Sequence, residues 1–545
     1  MCGILFCTCC CKLNTNEIIN RGPDAQDVKI INNNIILQGC VLHQQGSFIN
    51  VQPLMYNNSY LLWNGENYEN TVENDGFILL QNIINLSHID SLNEFAKISG
   101  PYAAICIKND NSFYFGRDVL GRRSLLCGLN KNNDIVILSS TIVDGCSHIA
   151  KWIELPAFGM FKMSIKSNFS LSEIELYPYD FYTDYDLLNE LGDLGLGLIK
   201  MNSTQLITNY SKKIDDGYIN SIYNENISEI LEKLLHVLEN SVYKRVTHLH
   251  KQCSQCLSNG FNNYADSCNH SKVAILFSGG LDSAVIAVLV DKFLPINESI
   301  DLFNVSFSTE TKLECDSPDR LSGLICLNEL KSINPDRRWN FVKINISPSE
   351  LKEQRQQRIA KLIQPCHSVL DDSIGCALWF AARGEGFIDN EKEPYKSPAR
   401  VVLTGIGADE LMAGYSRHRS VFDRQGYEIL QQELDKELHR ISSRNMGRDD
   451  RVISSHGKEG RFPFLDEEVV SFLTSLPIQL KCDLTKERGL GEKMILRLLA
   501  RDYLKLSSTW ANHKRAIQFG SQIAKVDRLN KGGKASQKCN RLDID

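Results

Sequence analysis

Two stretches of the 545-residue chain carry side chains whose types and spacing could do chemistry. The first is its start, Met1-Cys2-Gly3-Ile4. If Met1 is removed, Cys2 becomes the first residue. Its α-amino group, with an ordinary pKa of about 7.7–8.0, can then act as base for its own thiol. Behind it come Arg21-Gly22-Pro23-Asp24, a cation and an anion around a rigid turn, and Trp63-Asn64-Gly65-Glu66. The Asn64 amide and the Gly65 N–H are expected to form an oxyanion hole. Arg21, Glu66 and Asp75 are expected on the substrate, with Asp75 facing a substrate ammonium.

The second stretch is Val273–Ser283, a buried apolar strand that ends in Ser278-Gly279-Gly280-Leu281-Asp282-Ser283. Glycines let the backbone approach an anion, and the following helix start offers free N–H groups and positive dipole potential. The hydroxyls of Ser278 and Ser283 add donors. Asp282 is badly placed against a phosphate unless Mg²⁺ lies between them. This is not the Walker spacing. A third segment, Thr404-Gly405-Ile406-Gly407-Ala408-Asp409-Glu410, follows another strand at what would be the carboxyl edge of the sheet, where open α/β sheets bind ligands. Asp409 joins Asp282 as a candidate Mg²⁺ ligand, although a carboxylate pair at a helix start is also a common cap.

Short strands with Asn- and Gly-rich turns, and one helix near Asp75–Asn85, predict an antiparallel α+β domain in the first part. Ser164–Asn224 has weak periodicity and reads as a connection with a peripheral insert. Asn226–Leu249 then shows a helical apolar stripe, and strand–helix alternation follows, which implies a parallel doubly wound sheet. The expected domains are 1–175, a connection 176–225, and 226–545. At 43% hydrophobic and 23% charged residues, wholesale disorder is excluded. The net charge of −6 does not suit a nucleic-acid binder, and there is no apolar run of 18 or more residues to span a membrane.

Of the 18 cysteines, Cys7, Cys9, Cys10 and Cys11 read as small residues packed in a strand. Adjacent positions point to opposite faces and converge poorly on one ion. Cys253-x2-Cys256, with Cys268 and His270, has a better zinc spacing, though it lies in an Asn-rich stretch that also reads as a loop. The apolar start lacks the basic residue and cleavage site of a secretory signal, so reduced thiols and a cytoplasmic location are expected.

Taken together, MCGI, RGPD, WNGE, the segment Phe115–Leu126, SGGLDS, TGIGADE, Arg461–Asp466 and Gly491-Glu492-Lys493 resemble the glutamine-dependent asparagine synthetases. The resemblance implies an N-terminal-nucleophile (αββα) class II amidotransferase domain followed by an α/β pyrophosphate-loop ATPase domain. It implies that Cys2 attacks the glutamine amide and that ammonia passes through an internal channel. ATP with Mg²⁺ would adenylate the aspartate side chain, and ammonia would displace AMP. Lys493 would stabilise charge in the adenylating step. A homodimer is compatible with it, and no nucleic-acid or membrane partner is expected. Three positions depart from the family. Gln45 stands where an arginine holds the glutamine carboxylate, a contact worth about 1.5–3 kcal/mol. Ile406 stands where the family has a glutamate base. Asp371-Asp372 fall beside an expected phosphate-facing arginine. An impaired or regulatory nucleotide-binding member, and an amidotransferase for another acid acceptor, therefore remain alternative readings.

Overall fold

The computed structural model describes residues 2–9, 11–32, 34–46, 48–69, 74–164, 173–182, 199–210, 226–258, 268–308, 317–389, 391–529 and 537–539. The chain divides into two compact units. The first comprises Met1–Ser211, Lys361–Cys366 and His439–Lys458, and the second comprises Lys212–Ala360, His367–Leu438 and Glu459–Asp545.

The first unit contains β1 (Gly3–Cys7), α1 (Asn16–Arg21), β2 (Ala25–Ile31), β3 (Ile35–Val41), β4 (Leu54–Tyr56), β5 (Ser59–Gly65), α2 (Asp75–Ile83) and α3 (His88–Ala96). It continues with β6 (Tyr102–Ile107), β7 (Ser112–Arg117), β8 (Leu126–Leu129), β9 (Ile135–Ser139), β10 (Lys151–Glu154), β11 (Gly159–Ser164), β12 (Glu175–Pro178) and β13 (Lys200–Met201). An antiparallel sheet runs β10-β8-β9-β1-β3-β2, and a second runs β13-β12-β11-β7-β6-β5-β4. Strand β1 shows how they layer. Successive side chains point to opposite faces, so Ile4 and Phe6 join Leu62, Ile105 and Phe115 in one core. Leu5 and Cys7 join Ile18 of α1 and Cys40 in another, on the other face of the first sheet. Helix α2 packs on β4 and β5, and α3 on β11. This is the αββα layering expected.

The segment 164–224 is more than a connection. It supplies β12 and the short parallel strand β13 to the second sheet. Two later segments also belong to the first unit through buried charge. Asp450 accepts from Arg21 Nη2 at 2.8 Å and from the Ser124 amide at 3.1 Å, with Arg123 Nη1 3.8 Å away. Arg451 donates to the Leu362 carbonyl at 2.7 Å and to Ser124 Oγ at 2.7 Å.

The second unit contains α4 (Ile227–Val246), β14 (Val273–Leu276), α5 (Leu281–Phe293), β15 (Ile300–Phe307), α6 (Pro318–Ile333), β16 (Trp339–Ile346), α7 (Val369–Arg383), β17 (Glu385–Ile388), β18 (Pro394–Lys396), β19 (Val401–Leu403), α8 (Ala408–Leu411), β20 (Glu459–Arg461) and α9 (Met494–Asp502). Ser317 caps α6, with Pro318 in its first turn, as the Ser-Pro pair predicts. The sheet order is β18-β17-β16-β15-β14-β19-β20. The five strands β16-β15-β14-β19-β20 are parallel, and the β17–β18 hairpin pairs antiparallel onto β16 at one edge. The strand order reverses between β14 and β19, so their carboxyl ends form the switch-point crevice of a doubly wound sheet.

Asp450 and Arg21 are both fully buried. Removing one partner strands the other's charge, which costs about 3–5 kcal/mol. Asp450→Ala is therefore expected to lower the unfolding free energy of the first unit by that amount and with it the urea midpoint, followed by near-UV circular dichroism. An unchanged midpoint would show that this pair does not hold the segment in place.

Candidate functional site

In the first unit, Cys2 and Asn64 lie on facing sheets, at the start of β1 and near the end of β5. The Cys2 backbone nitrogen donates to Asn64 Oδ1 at 2.9 Å. Asn64 is fully buried, yet its Nδ2 has no hydrogen-bond partner. A buried donor left unmade costs free energy, and among the described residues this amide hydrogen finds no acceptor. Gln52 braces the pair. Its amide exchanges hydrogen bonds with the Trp63 backbone at 2.7 and 2.8 Å, and its Nε2 donates to Cys2 Sγ at 3.5 Å. Burial pushes the Cys2 thiol up from its usual range, so attack requires a base. Gly65 ends β5 opposite Tyr102.

Asp75 opens α2 and accepts from the Asn67 and Gly76 amides, both at 2.8 Å. Burial outweighs these N–H groups and pushes its carboxyl up to about 6. Glu66 is engaged by Gln45 Nε2, so Gln45, in place of the family's arginine, is held by a carboxylate of this chain. Arg21, expected on the substrate, is engaged by the chain's own groups. Its guanidinium is taken up by Asp450 and Ser454, and only Nε reaches the Cys2 carbonyl, at 3.5 Å. Asp24 holds the His43 amide at 2.7 Å. The RGPD motif is thus the support of the Cys2 region.

In the second unit, the glycine loop lies between β14 and α5. Gly279 has φ +70°, and a Cβ there would lie 2.3 Å from the Ser322 carbonyl, which excludes a side chain. The Gly280 amide donates to Ser278 Oγ at 3.2 Å, and Ser283 Oγ to the Gly280 carbonyl at 3.1 Å. Gly405, after the neighbouring β19, packs against Asp282, and a Cβ on it would meet the Asp282 Cβ at 2.7 Å. Gly407 caps α8 in the left-handed region.

Four charges converge here. Lys493 Nζ donates to both Asp282 oxygens at 2.7 Å and to Asp409 Oδ1 at 2.8 Å. Lys514 Nζ lies 2.5 Å from Asp409 Oδ2 and 4.0 Å from Asp282 Oδ2. Burial would raise the Asp409 carboxyl, but the two ammonium groups outweigh it and hold it well below the usual carboxylate range. Lys514 is held above its own range, because Asp409 and Asp282 outweigh its burial. Lys493 pays for this position with a left-handed backbone, φ +53°. Glu410 accepts from Tyr415 Oη at 2.7 Å. Two carboxylates aimed at one cation are hard oxygen donors and fit Mg²⁺.

Lys514 and Gln52 are absent from the sequence reading. Each stands in a segment without a recognisable motif, and it reaches its site through a contact 50 or more residues away. Asp371-Asp372 are structural. Asp371 completes a capping box with Ser368, and buried Asp372 accepts from Arg355 at 2.9 Å. Asp466 caps a helix and pairs with Arg245 at 2.8 Å. The strand reading of the early cysteines is amended. Cys9 and Cys11 meet Cys146 with their sulfurs within 4.8 Å of one another, and Cys7 Sγ lies 2.9 Å from Cys9 Sγ. Cys10 lies outside the described residues. No helix of the described residues is long and apolar enough to cross a membrane.

A family model described as asparagine synthase matches residues 423–531. Asparagine synthetase domain-containing protein 1 of Gallus gallus is 38% identical, over 96% of this chain and 95% of its own. The protein of that name from Homo sapiens is 37% identical, over 100% of this chain and 98% of its own. A protein of Acanthamoeba polyphaga mimivirus named as a probable glutamine-hydrolyzing asparagine synthetase is 25% identical, over 91% of this chain and 78% of its own.

Asp75 gives a stability test. Its carboxyl titrates at about 6 in the folded chain but near 3.9 in an unfolded one. Between those values the folded state binds more protons, so its contribution is full below about pH 4 and is lost as pH rises through about 6. The difference is about 3 kcal/mol. Asp75→Asn should flatten this part of the stability-versus-pH curve, measured as urea midpoints from pH 4 to 7. A wild-type-like slope in the variant would locate the titration elsewhere.

Proposed function

Because the chain belongs to the family of asparagine synthetase domain-containing proteins, we propose that it is an ATP-dependent carbon–nitrogen ligase with glutamine as amido donor. The observation that carries the reading is Asn64, whose Oδ1 receives the Cys2 nitrogen while its buried Nδ2 has no partner.

On this reading Met1 is removed. The neutral Cys2 amine donates one hydrogen to Asn64 Oδ1, which leaves its lone pair to take the thiol proton. Sγ attacks the glutamine side-chain carbonyl, and Asn64 Nδ2 with the Gly65 N–H receives the developing oxyanion. Ammonia leaves, and water hydrolyses the thioester to glutamate. Asp75, charged above about pH 6, binds the substrate ammonium. Gln45, held by Glu66, gives glutamine no fixed cation, so a high KM for glutamine is expected. A free Cys2 thiol suits the cytoplasm, and Cys2 forms no disulfide among the described residues.

In the second unit, the amides at the start of α5 and the Ser278 and Ser283 hydroxyls hold the ATP phosphates. Asp282 and Asp409 would hold Mg²⁺, which neutralises phosphate charge and draws electrons from the α-phosphorus. Lys493 and Lys514, both tethered to these carboxylates, follow the charge of the departing pyrophosphate. The carboxylate oxygen of the acceptor, aspartate, attacks the α-phosphorus, pyrophosphate leaves, and ammonia then displaces AMP. Ile406 supplies no base for that last step and lends the acceptor side an apolar wall. That favours, as the second reading, an acceptor other than aspartate.

Amide-¹⁵N glutamine, ATP, Mg²⁺ and aspartate are expected to give ¹⁵N-asparagine and AMP in equal amounts. Cys2→Ala should abolish the label yet retain activity with ammonium. Asn64→Ala is expected to lower kcat for glutamine hydrolysis about 10²–10³-fold with a small change in KM. Asp282→Ala should remove ATP–pyrophosphate exchange. AMP formation with another carboxylate alone would select the second reading, and absence of AMP with every acceptor would overturn the ligase.

A further inference from the structure

The second unit holds a cluster of soft ligands that the proposed reaction does not use. The sulfurs of Cys253, Cys256 and Cys268 and an imidazole nitrogen of His270 all lie within 4.8 Å of one another. His270 Nδ1 is 3.6 Å from Cys253 Sγ and 3.3 Å from Cys256 Sγ. A tetrahedral zinc with Zn–S of ~2.3 Å and Zn–N of ~2.0 Å has ligand–ligand edges of ~3.5–3.8 Å. The two S–N spacings lie close to the corresponding edges of that tetrahedron, and the sulfurs fall within the 4.8 Å that bounds the cluster. Thiols are weak donors and acceptors, so hydrogen bonding alone gives little reason for four such groups from 18 residues of chain to converge. The Cys253 amide also donates to Cys268 Sγ at 3.2 Å, a contact that orients a ligating sulfur and spreads its charge.

We infer that Cys253, Cys256, Cys268 and His270 bind one zinc ion, in a closed site that fastens this loop to the amino-terminal edge of the nucleotide-binding sheet. The site is well anchored there. The Ser254 amide and hydroxyl both donate to the Pro398 carbonyl, at 3.2 and 2.9 Å. The Cys268 amide donates to the Lys251 carbonyl, and Asn297 to Asn269. β14 starts at Val273 and β19 at Val401, so the ion stands at the beginnings of the two strands whose ends carry the glycine loops. Three thiolates and one imidazole leave no open coordination position, which makes the ion structural. Soft thiolates in a tetrahedron favour zinc over Mg²⁺ or Ca²⁺. Binding releases three thiol protons to solvent and leaves His270 neutral, so the filled site carries one net negative charge. Cys253 is fully buried while His270 is exposed, which gives the ion an entry path.

The test is made on the full-length chain, purified under reducing conditions and analysed by inductively coupled plasma mass spectrometry. The wild type is expected to carry one more zinc per chain than Cys256→Ser/Cys268→Ser. Exchange into Co²⁺ should give the visible bands of a tetrahedral thiolate site. If the double variant fails to fold, the wild type alone decides by peptide mapping after alkylation. Cys253, Cys256 and Cys268 should be protected until a strong chelator is added and should then react together. Equal zinc in wild type and folded variant, thiols that react at the same rate with and without chelator, or a wild-type peptide lighter by two hydrogens from a disulfide would each overturn the site.

Discussion

A single amide, that of Asn64, organises the first unit. Its oxygen fixes the nitrogen of Cys2 and its own nitrogen is left unmatched in a place where unmatched donors are costly. This can persist only in a rigid frame. The frame comes from two stacked sheets, with β1 and β5 in adjacent layers, and from Gln52, which ties Trp63 to the Cys2 sulfur. Beneath them the buried Arg21–Asp450 pair recruits a segment more than 400 residues downstream. The frame therefore fixes a donor, and on the proposed function the stability given up at Asn64 would be available to an oxyanion.

The second unit solves a different problem, which is how to keep two carboxylates ionised where they are largely removed from water. Asp282 and Asp409 are neutralised by Lys493 and Lys514, giving two anions against two cations. In a buried setting such pairing is what allows ionised groups at all. The same arrangement prepares both signs. On the proposed function, a divalent cation would take the carboxylates and the ammonium groups would then face phosphate. The glycines do the steric part, since Gly279 admits the close approach of α6 and Gly405 that of Asp282.

Much of this was legible in sequence because the chemistry is local there. SGGLDS follows a strand and opens a helix, and both facts rest on neighbouring residues. The alternation in β1 and the Ser-Pro start of α6 were readable for the same reason. What escaped was long-range. Lys514 and Gln52 carry no motif, and the pairing of Arg21 with Asp450 spans 429 residues. Asp371-Asp372 looked like a misplaced charge against phosphate, but a cap and a buried arginine account for it. β12 and β13 were missed because strands of four and two residues have too little periodicity to register. The Cys253–His270 spacing was visible, whereas its convergence on one point was not.

The whole amidotransferase account turns on Cys2 having a free amine. The N-terminal residue of the mature protein, determined by Edman degradation or terminal-peptide mass spectrometry on material from its own cells, tests this most directly. The account predicts Cys2 as the first residue with an unblocked amine. Retained Met1, or an acylated Cys2 amine, would remove the amine that is to serve as the thiol's base and would contradict it.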